Sequence, residues 1–153
     1  MTSNKNRLAT IVLIPLLSTF ASQAVADDNA ILKQGCDDGS WFSCSLLAQE
    51  LESVGDFSGA ATVYETACEF HPGACALLGR LYFEGKGVEQ NDERAFNLFE
   101  MSCDQDSEVR GCFFAGQMSE AGRGTPVNQE AAVQFFRISC DGGLEAACDQ
   151  LGL

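Results

Sequence analysis

The chain holds a single histidine, His71, and nowhere spaces two cysteines as C-x-x-C. Each shortage excludes a chemistry. A C-x-x-C pair is the usual opening of a zinc site and of a dithiol redox centre. Here six to eight residues separate neighbouring partners, so neither is expected. A zinc β-lactamase needs several histidines, and a Ser-His-Asp triad would have to be built around His71, where nothing places a serine. His71 stands before Pro72 in a turn and reads as a solvated loop residue. Positive charge is also scarce: nine Lys and Arg stand against 22 Asp and Glu, a net −13. Such a surface repels phosphate backbones, which argues against nucleic acid as a partner, and it favours solubility and basic partners.

No apolar run reaches the roughly 20 residues that a membrane-spanning helix needs. The longest, from Leu8 to Ala21, is interrupted by Thr10, Pro15, Ser18 and Thr19. With Lys5 and Arg7 before it and Ala24-Val25-Ala26 after it, residues 1–26 read as a secretory signal cleaved near Ala26. No cysteine follows the cleavage site at once, so a lipid anchor is not indicated, and no stable membrane insertion is expected after cleavage. The remainder, 27–153, fits one domain with a modest core. It keeps seven basic residues against 22 acidic, a net −15, and all eight cysteines. An even cysteine count behind an export signal argues for disulfides in an oxidising compartment, periplasmic or extracellular.

What the chain has in abundance is self-similarity. A shift of 37 residues lays Cys75, Gly79, Gly85, Gly87, Asn91, Ala95, Phe99, Ser102 and Cys103 on Cys112, Gly116, Gly122, Gly124, Asn128, Ala132, Phe136, Ser139 and Cys140 without a gap. A period of this size means a stacked array of repeats. Apolar positions recur at helical spacing, as in Phe42, Leu46, Leu47 and Leu51, and then in Phe57, Ala60, Val63, Tyr64 and Ala67. Three full repeats are expected, 41–68, 74–103 and 110–140, with half-repeat caps at 27–36 and 144–153. Within them helices are expected over about 74–84, 92–103, 110–120 and 129–140, with Asn91 and Asn128 as N-caps. No strand-like alternation competes, so the chain is expected to be all-α.

The cysteines fall in four couples: Cys36 with Cys44, Cys68 with Cys75, Cys103 with Cys112, and Cys140 with Cys148. In each, the first residue ends the second helix of one repeat and the other begins the first helix of the next. Across such a corner the Cα atoms come within the roughly 4.4–6.8 Å a disulfide needs. Cysteines of different couples lie about a repeat apart, and neighbouring helix axes are already about 8–10 Å apart. The repeat logic therefore selects these four bridges.

Two stretches imitate ligand sites. Residues 79–87 suggest a phosphate loop, but five residues separate the glycines instead of four, and Gly87 stands where Ser or Thr is required. We read Gly85 and Gly87 as a helix stop. The acidic residues of 104–108 hint at calcium, but Val109 sits where that loop needs glycine. They read as a solvated acidic turn.

The run 75–88, Cys-Ala-Leu-Leu-Gly-Arg-Leu-Tyr-Phe-Glu-Gly-Lys-Gly-Val, followed by Asn91, Ala95 and Phe99, resembles the Sel-1-like repeat, a relative of the tetratricopeptide repeat. The added cysteine couples resemble its secreted, cysteine-rich branch. The resemblance implies a right-handed αα-hairpin solenoid, each repeat closed by one disulfide. The first repeat departs from the pattern, because Gly55-Asp56 stands in place of the Gly-x-Gly loop. Relatives are described as adaptors in envelope complexes, secretion, signalling or host interaction, and some cysteine-rich ones as penicillin-binding proteins or β-lactamases. The serine β-lactamase elements are missing: Ala30 and Phe83 stand three residues before Lys33 and Lys86, and neither S-D-N nor K-T-G occurs. The chain is therefore expected to be a non-catalytic scaffold for a protein or peptide, a monomer with no catalytic residues, metal or cofactor. β-Lactamase or penicillin-binding activity stands as the alternative. In tetratricopeptide-like arrays the first helices line the concave face. That carries the candidate binding residues onto Phe42, Ser45, Gln49 and Glu52, then Ala76, Arg80, Phe83 and Glu84, then Arg110, Phe113, Gln117 and Glu120.

Overall fold

The computed structural model describes residues 29–106 and 109–153, and of 104–106 the backbone only. The expected signal segment lies outside the described residues. Eight helices and no strand are found among the described residues: α1 (29–37), α2 (Trp41–Ser53), α3 (Phe57–Cys68), α4 (Pro72–Glu84), α5 (Asp92–Asp106), α6 (Val109–Ala121), α7 (Gln129–Asp141) and α8 (Glu145–Leu151). From α2 onward each helix packs on the one before and the one after it, so α2/α3, α4/α5 and α6/α7 are stacked hairpins. This is an all-α, disulfide-stapled solenoid.

The helix starts follow from side chains that satisfy the first-turn amides. Ser40, Asp56 and Asn128 accept from the backbone N–H of Ser43, Gly59 and Ala131, and Asn91 accepts from that of Arg94 at 2.9 Å. Two readings of the sequence need correction here. Pro72 does not merely force a turn; it is the first residue of α4, where a missing N–H costs nothing and the fixed φ suits the helix. The acidic residues Asp104 to Asp106 are not a turn either, because α5 runs on through Asp106.

The glycines separate into distinct roles. Gly85 caps α4 in the left-handed region, at φ 68°. Gly87 is more than part of a helix stop. A Cβ there would lie 2.2 Å from the carbonyl carbon of Phe57 and 2.4 Å from the nitrogen of Ser58. Gly124 meets Asp92 and Glu93 in the same way, at 2.1 Å from the Asp92 oxygen. The Gly-x-Gly loop of one repeat therefore rests on the start of the second helix of the repeat before it, backbone on backbone. Gly79 and Gly116 leave room for the Phe99 and Phe136 rings, which a Cβ would approach to 3.0 and 2.7 Å.

The core runs along the hairpins, with Ala48, Ala60, Tyr64, Leu78 and Leu81 in one cluster and Ala95, Phe99, Ala115 and Met118 in the next. Burying Phe99, which is 1% exposed, contributes about 1.5–3 kcal/mol. Disulfides join Cys36 to Cys44, Cys68 to Cys75, Cys103 to Cys112 and Cys140 to Cys148, with Cα atoms 4.6, 4.7, 4.7 and 4.8 Å apart. Each ties a second helix to the first helix of the following repeat.

Candidate functional site: the face of the first helices

Side chains three, four and seven residues apart share a helix face, so α2, α4 and α6 each offer one row outward. The rows of α2 and α4 are joined by an ion-pair network. Arg80 on α4 donates through Nη2 to both carboxylate oxygens of Glu52 on α2, at 2.9 and 3.0 Å, and its Nη1 lies 3.6 Å from Glu84. Lys86 approaches Glu84 to 2.8 Å. The buried hydroxyl of Tyr64 donates to Glu52 at 2.8 Å. Burial pushes the Tyr64 phenol well above its ordinary value, and the bond to the Glu52 carboxylate and its charge add to the shift. The Arg80 and Glu52 side chains are only part-buried, so the pair orients the groups more than it stabilises the fold.

The other candidate residues are spread along the same helices. Phe42 is 70% exposed, and Gln49, Arg110, Gln117 and Glu120 are exposed. Phe83 carries the Arg123 guanidinium 4.0 Å above its ring, and Asp92 holds that guanidinium at 2.7 and 3.1 Å. Phe113 turns toward α7, with its ring centroid 5.8 Å from that of Phe136. Phe114, its neighbour, stacks on Phe99 at 4.9 Å and opens onto the outer face.

A cleft of about 290 Å³ lies where these helices converge. Trp41, at the start of α2, lines it together with His71, Gly73, Ala76, Leu77 and Arg80 of the α4 region. Arg110 and Phe114 of α6 complete the lining. The structure corrects the reading of His71 as a solvated loop residue: its ring stacks on Trp41 at 4.1 Å and 7°, and its Nδ1 is buried without a hydrogen-bond partner. Sequence reasoning reached Ala76, Arg80 and Arg110 but missed Trp41, His71 and Phe114. Trp41 occupies the place, three before the first-helix cysteine, that Pro72 and Val109 hold in the later repeats, so no repeat signal marked it. Phe114 aligns with Leu77, a register position outside the face carried over from tetratricopeptide-like arrays.

Among the described residues no three of His, Cys, Asp and Glu are grouped to hold a metal ion. Among them, too, no helix is long and apolar enough to cross a membrane. The four disulfides suit an oxidising, extracytoplasmic compartment.

The Sel1 repeat profile matches residues 72–107 and 109–144, just under half of the chain. Solved structures share the fold. A protective antigen of uropathogenic Escherichia coli strains displaying an SLR fold is 21% identical at a TM-score of 0.72; the match covers 79% of this chain but only 27% of that protein's length. A Sel1 repeat protein from Oxalobacter formigenes is 24% identical at a TM-score of 0.72, covering 82% of this chain and 97% of the other. Cysteine-rich protein B of Helicobacter pylori is 24% identical at a TM-score of 0.64, covering 88% and 97%. No curated protein resembles the chain closely enough in sequence to count as a match. The chain therefore carries two Sel1 repeats, at 72–107 and 109–144, within stacked hairpins that share the fold of these structures and have a disulfide at every corner between repeats.

Proposed function

We propose that the chain is an exported, non-catalytic scaffold that captures a protein or peptide on the face of α2, α4 and α6, as a monomer in the periplasm or outside the cell. The observation that carries this is the convergence of the three helices on one cleft, where aromatic rings stand beside polar groups. Such a mixture suits peptide capture: apolar side chains are buried on the rings while the polar groups set orientation. The Glu52–Arg80–Glu84 network holds the face in place before a ligand arrives, so less side-chain freedom is lost on binding. The candidate residues Phe42, Gln49, Glu52, Arg80, Phe83, Glu84, Arg110, Phe113, Gln117 and Glu120 belong to this face or its edges. Export is supported by the signal-like residues 1–26 and by a fold stapled with disulfides.

Photo-cross-linking tests the reading. A photoreactive phenylalanine analogue in place of Phe42 should trap a defined partner in periplasmic or secreted fractions. The same analogue in place of Arg137, exposed on α7, should not. Identical products from both positions would remove the case for this face. The enzymatic alternative is checked with a chromogenic β-lactam: turnover above that of the reduced protein would overturn the non-catalytic reading.

A further inference from the structure

The junctions between consecutive second helices are not alike, and the difference marks a binding site. At the α3–α5 junction the groove is filled from within. Arg94 on α5 donates to Glu65 on α3 at 2.6 Å and stands 4.4 Å above the Tyr82 ring of α4. Carboxylate and ring together hold the guanidinium. A shift of 37 residues lays Arg94 on Ala131 and Tyr82 on Ser119. Glu65 and Glu100 each stand three residues before the cysteine of their helix, Cys68 or Cys103. The α5–α7 junction thus keeps the carboxylate but has neither the arginine nor the ring. A groove of about 480 Å³ opens there, with Glu100, Ser119 and Ala131 in its lining. The α1–α3 junction follows the same rule: Lys33, Leu51 and Gly59 hold the three positions, and a groove of about 470 Å³ opens. There the sign is reversed, and Lys33 is already paired with Asp37 at 3.0 Å.

Glu100 is half-buried, and among the described residues no cation pairs with it. Phe96, Val127, Phe135 and Ile138 line the same groove, and Val127 is 64% exposed. We propose that this groove receives an arginine side chain of a protein partner, in the place that Arg94 fills one repeat earlier. The guanidinium forks onto Glu100, a two-point match that an ammonium lacks. The aliphatic stem lies along the four apolar side chains, as long cationic side chains do on apolar surface. The net charge of −13 draws basic partners to the protein in general, and the groove adds the selection. This surface belongs to the second helices and is separate from the cleft of α2, α4 and α6. Arg137 is not among its lining residues, so the cross-linking control at that position is unaffected.

Amide nuclear magnetic resonance of the isotope-labelled, oxidised protein tests the proposal. The probes are acetyl-Gly-Arg-Gly-amide and its versions with Lys or citrulline in place of Arg; citrulline keeps the shape of arginine without its charge. The Arg peptide should shift the amides of Glu100, Ser119, Ala131 and Ile138 saturably, and added salt should weaken it. The citrulline peptide should bind about tenfold more weakly, the loss expected when a charge-assisted hydrogen bond becomes neutral. The Lys peptide should also be weaker than the Arg peptide. Glu100→Gln, a half-buried change that keeps the side-chain shape, should bring the Arg and citrulline peptides to within about twofold of each other. Ala131→Arg should fill the groove from within and abolish the shifts, and the Glu100→Gln comparison stands whether or not that variant folds. Shifts scattered over the acidic surface, a Lys or citrulline peptide as tight as the Arg peptide, or an unchanged ratio in Glu100→Gln would overturn the proposal, as would the absence of any shift. None of these results touches peptide capture on α2, α4 and α6, which cross-linking from position 42 tests separately.

Discussion

Replacing Gly87 with alanine probes the joint between repeats. The residue sits at φ 70°, and a Cβ would lie 2.2 Å from the Phe57 carbonyl carbon and 2.4 Å from the Ser58 nitrogen. These are backbone atoms at the start of α3 and cannot swing aside as a side-chain tip would. Left-handed backbone costs an alanine about 1 kcal/mol, and an overpacked contact costs about 1–3 kcal/mol more. The total is about 3 kcal/mol, a large fraction of the 5–15 kcal/mol that holds a typical domain folded. Gly55→Ala is the matched control. Gly55 also has a positive φ, 82°, but nothing lies within 4 Å of its Cβ, so only the backbone cost of about 1 kcal/mol should appear. Urea unfolding of the oxidised proteins, followed by far-ultraviolet circular dichroism, measures both. Gly124→Ala, whose Cβ would meet Asp92 and Glu93, should behave like Gly87→Ala. Equal losses in Gly87→Ala and Gly55→Ala would refute the argument that the loop rests on the preceding repeat, leaving only a strained turn.

Reduction is expected to unfold or loosen the protein. The four bridges span separations of seven to nine residues, and the chain-entropy model gives about 2.5 kcal/mol for each, about 10 kcal/mol together. Thermal melts with and without reductant check this, and coincident midpoints would contradict it. Asp56 makes the stability of α3 pH-dependent in a stated direction. Its carboxylate accepts the Gly59 amide and, secondarily, the Ser58 hydroxyl, which lowers its pKa below the ordinary 3.8. A depressed pKa means that the contribution is complete above pH 4 and is lost as pH falls through the folded value. The advantage of the protein over Asp56→Ala should therefore shrink in acid, and a difference that stays constant from pH 6 to pH 2 would show that the carboxylate charge is irrelevant to the cap.

The fold was legible because its causes are local and repeated. The 37-residue period, the helical spacing of apolar residues and the caps Asn91 and Asn128 each act within one repeat, and the copies reinforce one another. The helix ends were less legible. Pro72 is ambiguous from sequence because proline both stops one helix and starts another, and the acidic residues after Cys103 carry no signal that α5 continues to Asp106. At the site, Arg80 and Arg110 could be placed by register along a helix. Trp41, His71 and Phe114 could not, since what makes them cleft residues is which neighbours they touch across helices.

By itself the sequence determined the architecture: all-α hairpins in series, a disulfide-forming couple at each corner, and a strongly acidic surface. These depend on periodicity and spacing, which a linear string carries in full. Only the tertiary structure decided that Gly87 and Gly124 seat one repeat on another, that His71 braces Trp41, and that Arg80 and Arg110 meet aromatic rings in one cleft. Those facts rest on approaches between residues some 30 or more positions apart, set by how α2, α4 and α6 stack, and no local pattern encodes such distances.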